Sequence, residues 1–278
     1  MLRHCLAFVA AVHSAGHLGS SAELRLLRAQ AVDDEGASTA NTADIPILNL
    51  IPRPDWINVK SLGAKGDGAT DDSAPIQKAL DLISGCKAPT VLNTTAYFPP
   101  GRYRISESLI LCGVQKFFNI GFNVVGHGAS SVLVWSGAAN GTMLHDEGVT
   151  YGTISGLAFD GAAQAGVGIW HNSHTHYGSF MLHEHLSFTN LTWAGMMTAE
   201  GGGTVSATAE VRINNCRFTN CHFAIYLKAF NDYDYAVSGC HFADNQVGIM
   251  APHGNFDVRD SRFERSNVTD LYFGTPRI

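Results

Sequence analysis

Charge is scarce in this chain. Only 15% of its 278 residues are Asp, Glu, Lys or Arg, against about 25% in an average globular protein. The 18 basic and 24 acidic side chains leave a net charge of -6. They form no Lys/Arg stripe, which argues against nucleic acid as the main partner. No apolar run reaches the 18 residues that a membrane-spanning helix needs, so no membrane span is expected. The six cysteines, Cys5, Cys86, Cys112, Cys216, Cys221 and Cys240, include no Cys-X-X-Cys pair, which excludes the common zinc frameworks. Helical periodicity is nearly missing after residue 85. What is present is glycine, at 29 residues, and hydrophobic side chains, at 45%. That is enough for a substantial core and points to a β-rich fold.

The N-terminus carries Arg3, the apolar run Cys5 to Val12, and small residues ending in Ser20-Ser21-Ala22. This is the layout of a signal peptide over 1–22, followed by an unpatterned linker over 23–45 and one domain over 46–278. A secreted, extracellular protein is the expectation. Four Asn-X-Ser/Thr sequons, at Asn93, Asn140, Asn190 and Asn267, are compatible with that route. The last repeat ends close to Ile278 with no amphipathic cap after it, so the domain reads as C-terminally incomplete or capped by a partner.

Trp56–Leu62 alternates like a strand and runs into the turn Gly63-Ala64-Lys65-Gly66-Asp67-Gly68. Asp71 or Asp72 then caps a helix whose apolar positions are Ile76, Ala79, Leu80 and Ile83. The acids of this stretch lack the ligand spacing of a calcium loop. The block "VKSLGAKGDGATDDSAPIQKALD" followed by "AYFPPGRYRISESLIL" resembles the opening of pectate-lyase-superfamily proteins, specifically over residues 57–110. The resemblance implies a right-handed parallel β-helix, an all-β solenoid with a short N-terminal capping helix. It includes rhamnogalacturonase- and epimerase-like members, other lyases, glycosidases and tailspikes, so it implies fold more firmly than activity. Gly126-His127-Gly128 is followed by a strand pattern, not a helix, and reads as a tight turn.

The second half repeats itself independently of any family. "VRINNCRFTNCHFAIYLK", "YAVSGCHFADNQVGIMAP" and "FDVRDSRFERSNVTDLYF" share one pattern, and "GTISGLAFDG" and "LHEHLSFTN" share its centre. Stacked coils then give inward columns. Phe159, Phe188, Phe218, Phe242 and Phe263 make one. Ile213, Val237 and Val258 make a second, and Cys216, Cys240 and Ser261 a third. In the second strand of each unit an outward residue follows the inward one, giving Trp170, Met197, Tyr226, Met250 and Tyr272. Met197 fits the row only if one insertion is allowed.

Polygalacturonases, which have a similar coil, place a catalytic Asp pair where this chain has His222 and Phe223, then Gln246 and Val247, then Asn267 and Val268. Hydrolysis of that type is therefore disfavoured. Asp232 and Asp234, two apart, face one side if their turn is extended. They then read as an acid/base pair or a calcium site, and otherwise as solvated turn residues. Calcium is the ion such a carboxylate pair would hold. Asp160 reads as an Asx turn. The tract containing His171, His174, His176, His183 and His185 could hold a metal. It could also serve proton abstraction beside a sugar carboxylate, with Tyr177 and a neutralising Lys228 or Arg259. Some alginate-acting β-helix enzymes are similar in using Tyr, His, Asp and a basic residue. Trp170, Tyr226 and Tyr272, with Arg259, are the candidate substrate-binding residues. The leading expectation is a lyase or epimerase on an acidic polysaccharide. The alternative is a non-catalytic carbohydrate-binding, adhesive or structural β-helix, homo-oligomeric like a tailspike.

Overall fold

A computed structural model describes residues 48, 50–84, 95–112, 121–172, 178–198, 208–229 and 232–274. Two large parallel sheets, with a two-stranded pair formed by Gly178–Ser179 and Thr208–Ala209 besides, wind around one largely apolar interior. The first has eight strands, one from each successive coil, running from Ile57–Asn58 to Phe256–Arg259. The second has thirteen strands and forms the other two walls. It is continuous because Ser187–Thr198 and Arg217–Tyr226 each run around the corner between them. Every pairing is parallel and joins one coil to the next. The fold is the expected parallel β-helix with a short helix at its start.

That helix is Ser73–Ser84, with Ile76, Ala79, Leu80 and Ile83 buried against the first coils. Its entry is fixed by three carboxylates with separate tasks. Asp67 closes an Asx turn by accepting from the Ala69 and Thr70 amides and the Thr70 hydroxyl. Those bonds hold its carboxyl down at about 2. Asp71 accepts from the Ser73 amide and hydroxyl, while the buried Asp72 turns back to the Lys65 and Gly66 amides at 2.6 and 2.9 Å. The acids are thus turn and cap residues. Gly126-His127-Gly128 is a tight turn between strands Asn123–Gly126 and Ser131–Trp135. The His127 ring is held between the Tyr97 hydroxyl and the Leu48 carbonyl.

The interior columns follow the repeat. Phe159, Phe188, Phe218, Phe242 and Phe263 are in register and stack with ring centroids 5.0, 4.9, 5.1 and 4.4 Å apart. Gly168, Gly195 and Gly248 lie beside them because the rings leave no room: a Cβ on each would sit 2.7 Å from Phe188, Phe218 and Phe263 respectively. On the opposite wall Val124, Ile154, His183, Ile213, Val237 and Val258 are in register. The Cys column is a ladder in which the Cys216 amide donates to Cys240 Sγ and the Cys240 amide to Ser261 Oγ. Cys216, Cys221 and Cys240 are free thiols, and burial pushes Cys221 up to about 12. At one corner Asp160 accepts from the Ala162 amide and from Asn190 Nδ2, and Asn220 Nδ2 donates to Asn190 Oδ1. Asp160 is therefore an Asx turn tied into a side-chain ladder.

Candidate functional site

The outward row is present and in register. His145 pairs with Trp170, Trp170 with Met197, Met197 with Tyr226, Tyr226 with Met250 and Met250 with Tyr272. The insertion that Met197 requires is the register shift between Leu191 and Ala194. The alternating strand turns these side chains out of the solenoid. There Trp170, Tyr226, Met250 and Tyr272 pack half-buried on Val167, Met197, Phe223 and Val247, as a second apolar cluster outside the wall. The His145 ring stacks on Trp170 at 5.1 Å and 20°. Burial lowers the His145 pKa, so the ring is biased to the neutral form.

Two residues that the repeat did not single out extend the row. Trp193 sits at the bulge, 42% exposed, and stacks on His222 at 5.1 Å and 5°. Its other ring contacts are edge-on, with Phe223 and Tyr226. Only the one extra residue at the bulge in strand Ser187–Thr198 brings Trp193 there, and repeat alignment skips insertions. None of the row positions is a carboxylate.

Asp232 and Asp234 do not form a pair. Asp234 is exposed, with a left-handed backbone (φ 54°) that breaks the extended turn on which the pairing depended. Asp232 is fully buried. Its Oδ2 accepts from Thr198 Oγ1 at 2.6 Å and from the Ala229 amide at 2.9 Å. Burial raises its carboxyl to about 7. It is neither a solvated turn residue nor a base presented to solvent. Among the described residues no group of three His, Cys, Asp or Glu side chains is placed to hold a metal ion. Calcium at Asp232 and Asp234 therefore has no shared geometry to rest on.

Asp232 belongs to a polar inclusion inside the solenoid. The inward column Leu111, Asp146, His171, Thr198 changes from apolar to polar and back, since Leu227 follows on the next coil. His171 Nδ1 lies 2.5 Å from Asp146 Oδ2, and the His171 and His183 rings are 4.9 Å apart. His183 is fully enclosed, and burial puts its pKa well below the ordinary imidazole value. The repeat carried this signal, because "LHEHLSFTN" aligns His183 with Ile154 and Ile213. Asp146 precedes the recognisable repeats and gave none.

Of the remaining candidates, His174, His176 and Tyr177 lie outside the described residues. Lys228 follows Tyr226 and the inward Leu227, partly buried, and its amide donates to Thr198 Oγ1. Arg259 is not brought to the row. It lies on the eight-stranded sheet, paired with Asp257 at 2.6 Å.

Residues 56–153 match the model of rhamnogalacturonase A/epimerase, pectate lyase-like proteins. Over that stretch the chain is similar to the pectate-lyase-like superfamily. It is 33% identical over 111 residues to alginate lyase 7 of Azotobacter vinelandii, covering 36% of this chain and 12% of that protein. To mannuronan C5-epimerase AlgE3 of the same organism it is 49% identical over 49 residues, covering 18% of this chain and 2% of that one. The chain thus spans a small part of either relative. A candidate glycosyl hydrolase from Parabacteroides merdae superposes with a TM-score of 0.58 at 14% identity, covering 78% of this chain and 98% of its own. That likeness is one of fold.

Proposed function

We propose that this protein is secreted and acts on an acidic polysaccharide by elimination or epimerisation, not by hydrolysis. The observation that carries the reading is the outward row from His145 to Tyr272, with the Trp193–His222 stack beside it and no carboxylate in it. Aromatic faces in line along a solenoid wall suit successive sugar rings. A row without acids suits a polymer that carries its own. The names of the alginate-acting relatives support this substrate class. Elimination and epimerisation both begin by removing the proton beside the sugar carboxylate, and need a base and a cation to steady the developing charge. His174 and Tyr177 are the proposed proton-transfer groups, with Lys228, on the Tyr226 coil, as the cation. Asp232, enclosed as it is, holds the end of the strand Ser187–Thr198 to the next coil through Thr198 and Ala229.

The test is incubation of the full chain with alginate, pectate and a neutral glucan, following ultraviolet absorbance, reducing ends and sugar configuration together. New absorbance, or altered configuration without shortening, is expected on an acidic polymer. Reducing ends without absorbance would show hydrolysis and overturn the reading. Retention on a polymer without turnover, abolished by Trp170→Ala with Tyr226→Ala, would make this a binding module.

A further inference from the structure

The polar inclusion has no task in the reading above, and its composition is unusual for a solenoid core. His183 occupies a column that is otherwise Val and Ile. Among the described residues neither of its ring nitrogens has a hydrogen-bond partner. Among the described residues the titratable groups facing it are the His171 imidazole, tilted at 48° across 4.9 Å, and the Cys216 thiol, which donates to the His183 carbonyl. Asp146 reaches it only through His171. Asp232 faces Thr198, the Ala229 amide, His171 and the buried phenol of Tyr235. A base with no acceptor nearby and an acid with no cation in contact are thus enclosed in one interior, and His171 interacts with both.

We infer that His183 and Asp232 are a proton-compensated pair, a device that keeps the stability of the coils around them level through mildly acidic pH. Enclosure forbids charge on each, and for an imidazole and a carboxyl that has opposite consequences. Folded His183 stays neutral, while the unfolded residue binds a proton below its ordinary 6.5. Its contribution to stability is whole above that pH and drains as pH falls. Folded Asp232 holds its proton up to about 7, while the unfolded residue ionises above 3.8. Its contribution is whole in acid and is lost as pH rises through 7. Below 6.5, as long as folded His183 stays neutral and unfolded Asp232 stays ionised, folding therefore takes up a proton at Asp232 and gives one up at His183, and the two dependences cancel.

Removing either partner exposes the other. Relative to the unaltered chain, Asp232→Asn should raise the unfolding constant by up to about tenfold for each pH unit lowered from 6.5 toward 5. His183→Leu, which completes the aliphatic column, should lower it about tenfold per unit over the same interval. The double variant should run parallel to the unaltered chain. Denaturant unfolding at a series of pH values reads all four proteins. Profiles in which both single variants run parallel to the unaltered chain would overturn the inference. If a variant does not fold, NMR titration of the unaltered protein decides. The His183 ring should remain neutral down to pH 5, and a midpoint near 6.5 would overturn the pairing.

Discussion

Truncating Phe242 to alanine is expected to cost about 3–5 kcal/mol of folding stability, the range for large aromatic side chains removed from a closed core. Phe242 is fully buried and contacts a stacked ring on each side, Phe218 at 5.1 Å and Phe263 at 4.4 Å. The deletion therefore removes two ring contacts along with the buried area, and a parallel wall pinned by hydrogen bonds to both neighbouring coils cannot collapse into the gap. Chemical denaturation checks this: the midpoint should fall with little change in slope. An unchanged midpoint would mean that the aromatic column does not bear on the fold. Phe263, half-buried in the last described coil, should cost less when truncated.

The second large effect is the converse, overfilling. Gly195→Val is expected to destabilise by about 1–3 kcal/mol or more, the cost of forcing bulk into a packed interior. A Cβ there would stand 2.6 Å from the Ala224 carbonyl and 2.7 Å from the Phe218 ring, both inside normal contact. Neither can withdraw easily, because one is backbone in a ladder and the other is stacked on both faces. The next coil carries Ala224 at the corresponding step, so Gly195→Ala should be milder than Gly195→Val. A thermal melt of the two variants side by side distinguishes a steric effect, graded with side-chain volume, from a conformational one, which would affect both alike.

The periodic part of the molecule was legible because a solenoid writes its contacts into the sequence at a fixed offset. Phe218, Phe242 and Phe263 occupy equal places in successive repeats, and equal places become neighbours one strand apart. The outward row from Trp170 to Tyr272 was legible for the same reason, including the insertion before Met197. Failures came where the chain leaves the repeat. The turn carrying Asp232 and Asp234 reads as extended if only strand alternation is considered. A left-handed residue at 234 instead leaves one carboxylate inside and one outside. Trp193 was passed over because a bulge has no counterpart in other coils. His183 is a different case. Its place in the repeat is plain, but its chemistry draws it into the reading of the histidine tract as a metal or proton-abstraction site, when the column dictates burial.

Parallel sheets are usually slow to assemble, because their strands meet only after long stretches of chain have been brought together. The coil-to-coil pairing here changes that expectation. Phe188 meets Phe218, and Phe218 meets Phe242, so each residue finds its partner one winding away and never at the far end of the chain. Chain closure between such partners costs much the same at every step. Each finished winding then offers the next a ready edge of hydrogen-bonding groups and a half-built apolar floor. Assembly should therefore advance as a front along the axis, nucleated once and then extended. The rate of extension would be set by the windings with the most irregular walls, and the bulged strand Ser187–Thr198 is where that front should pause.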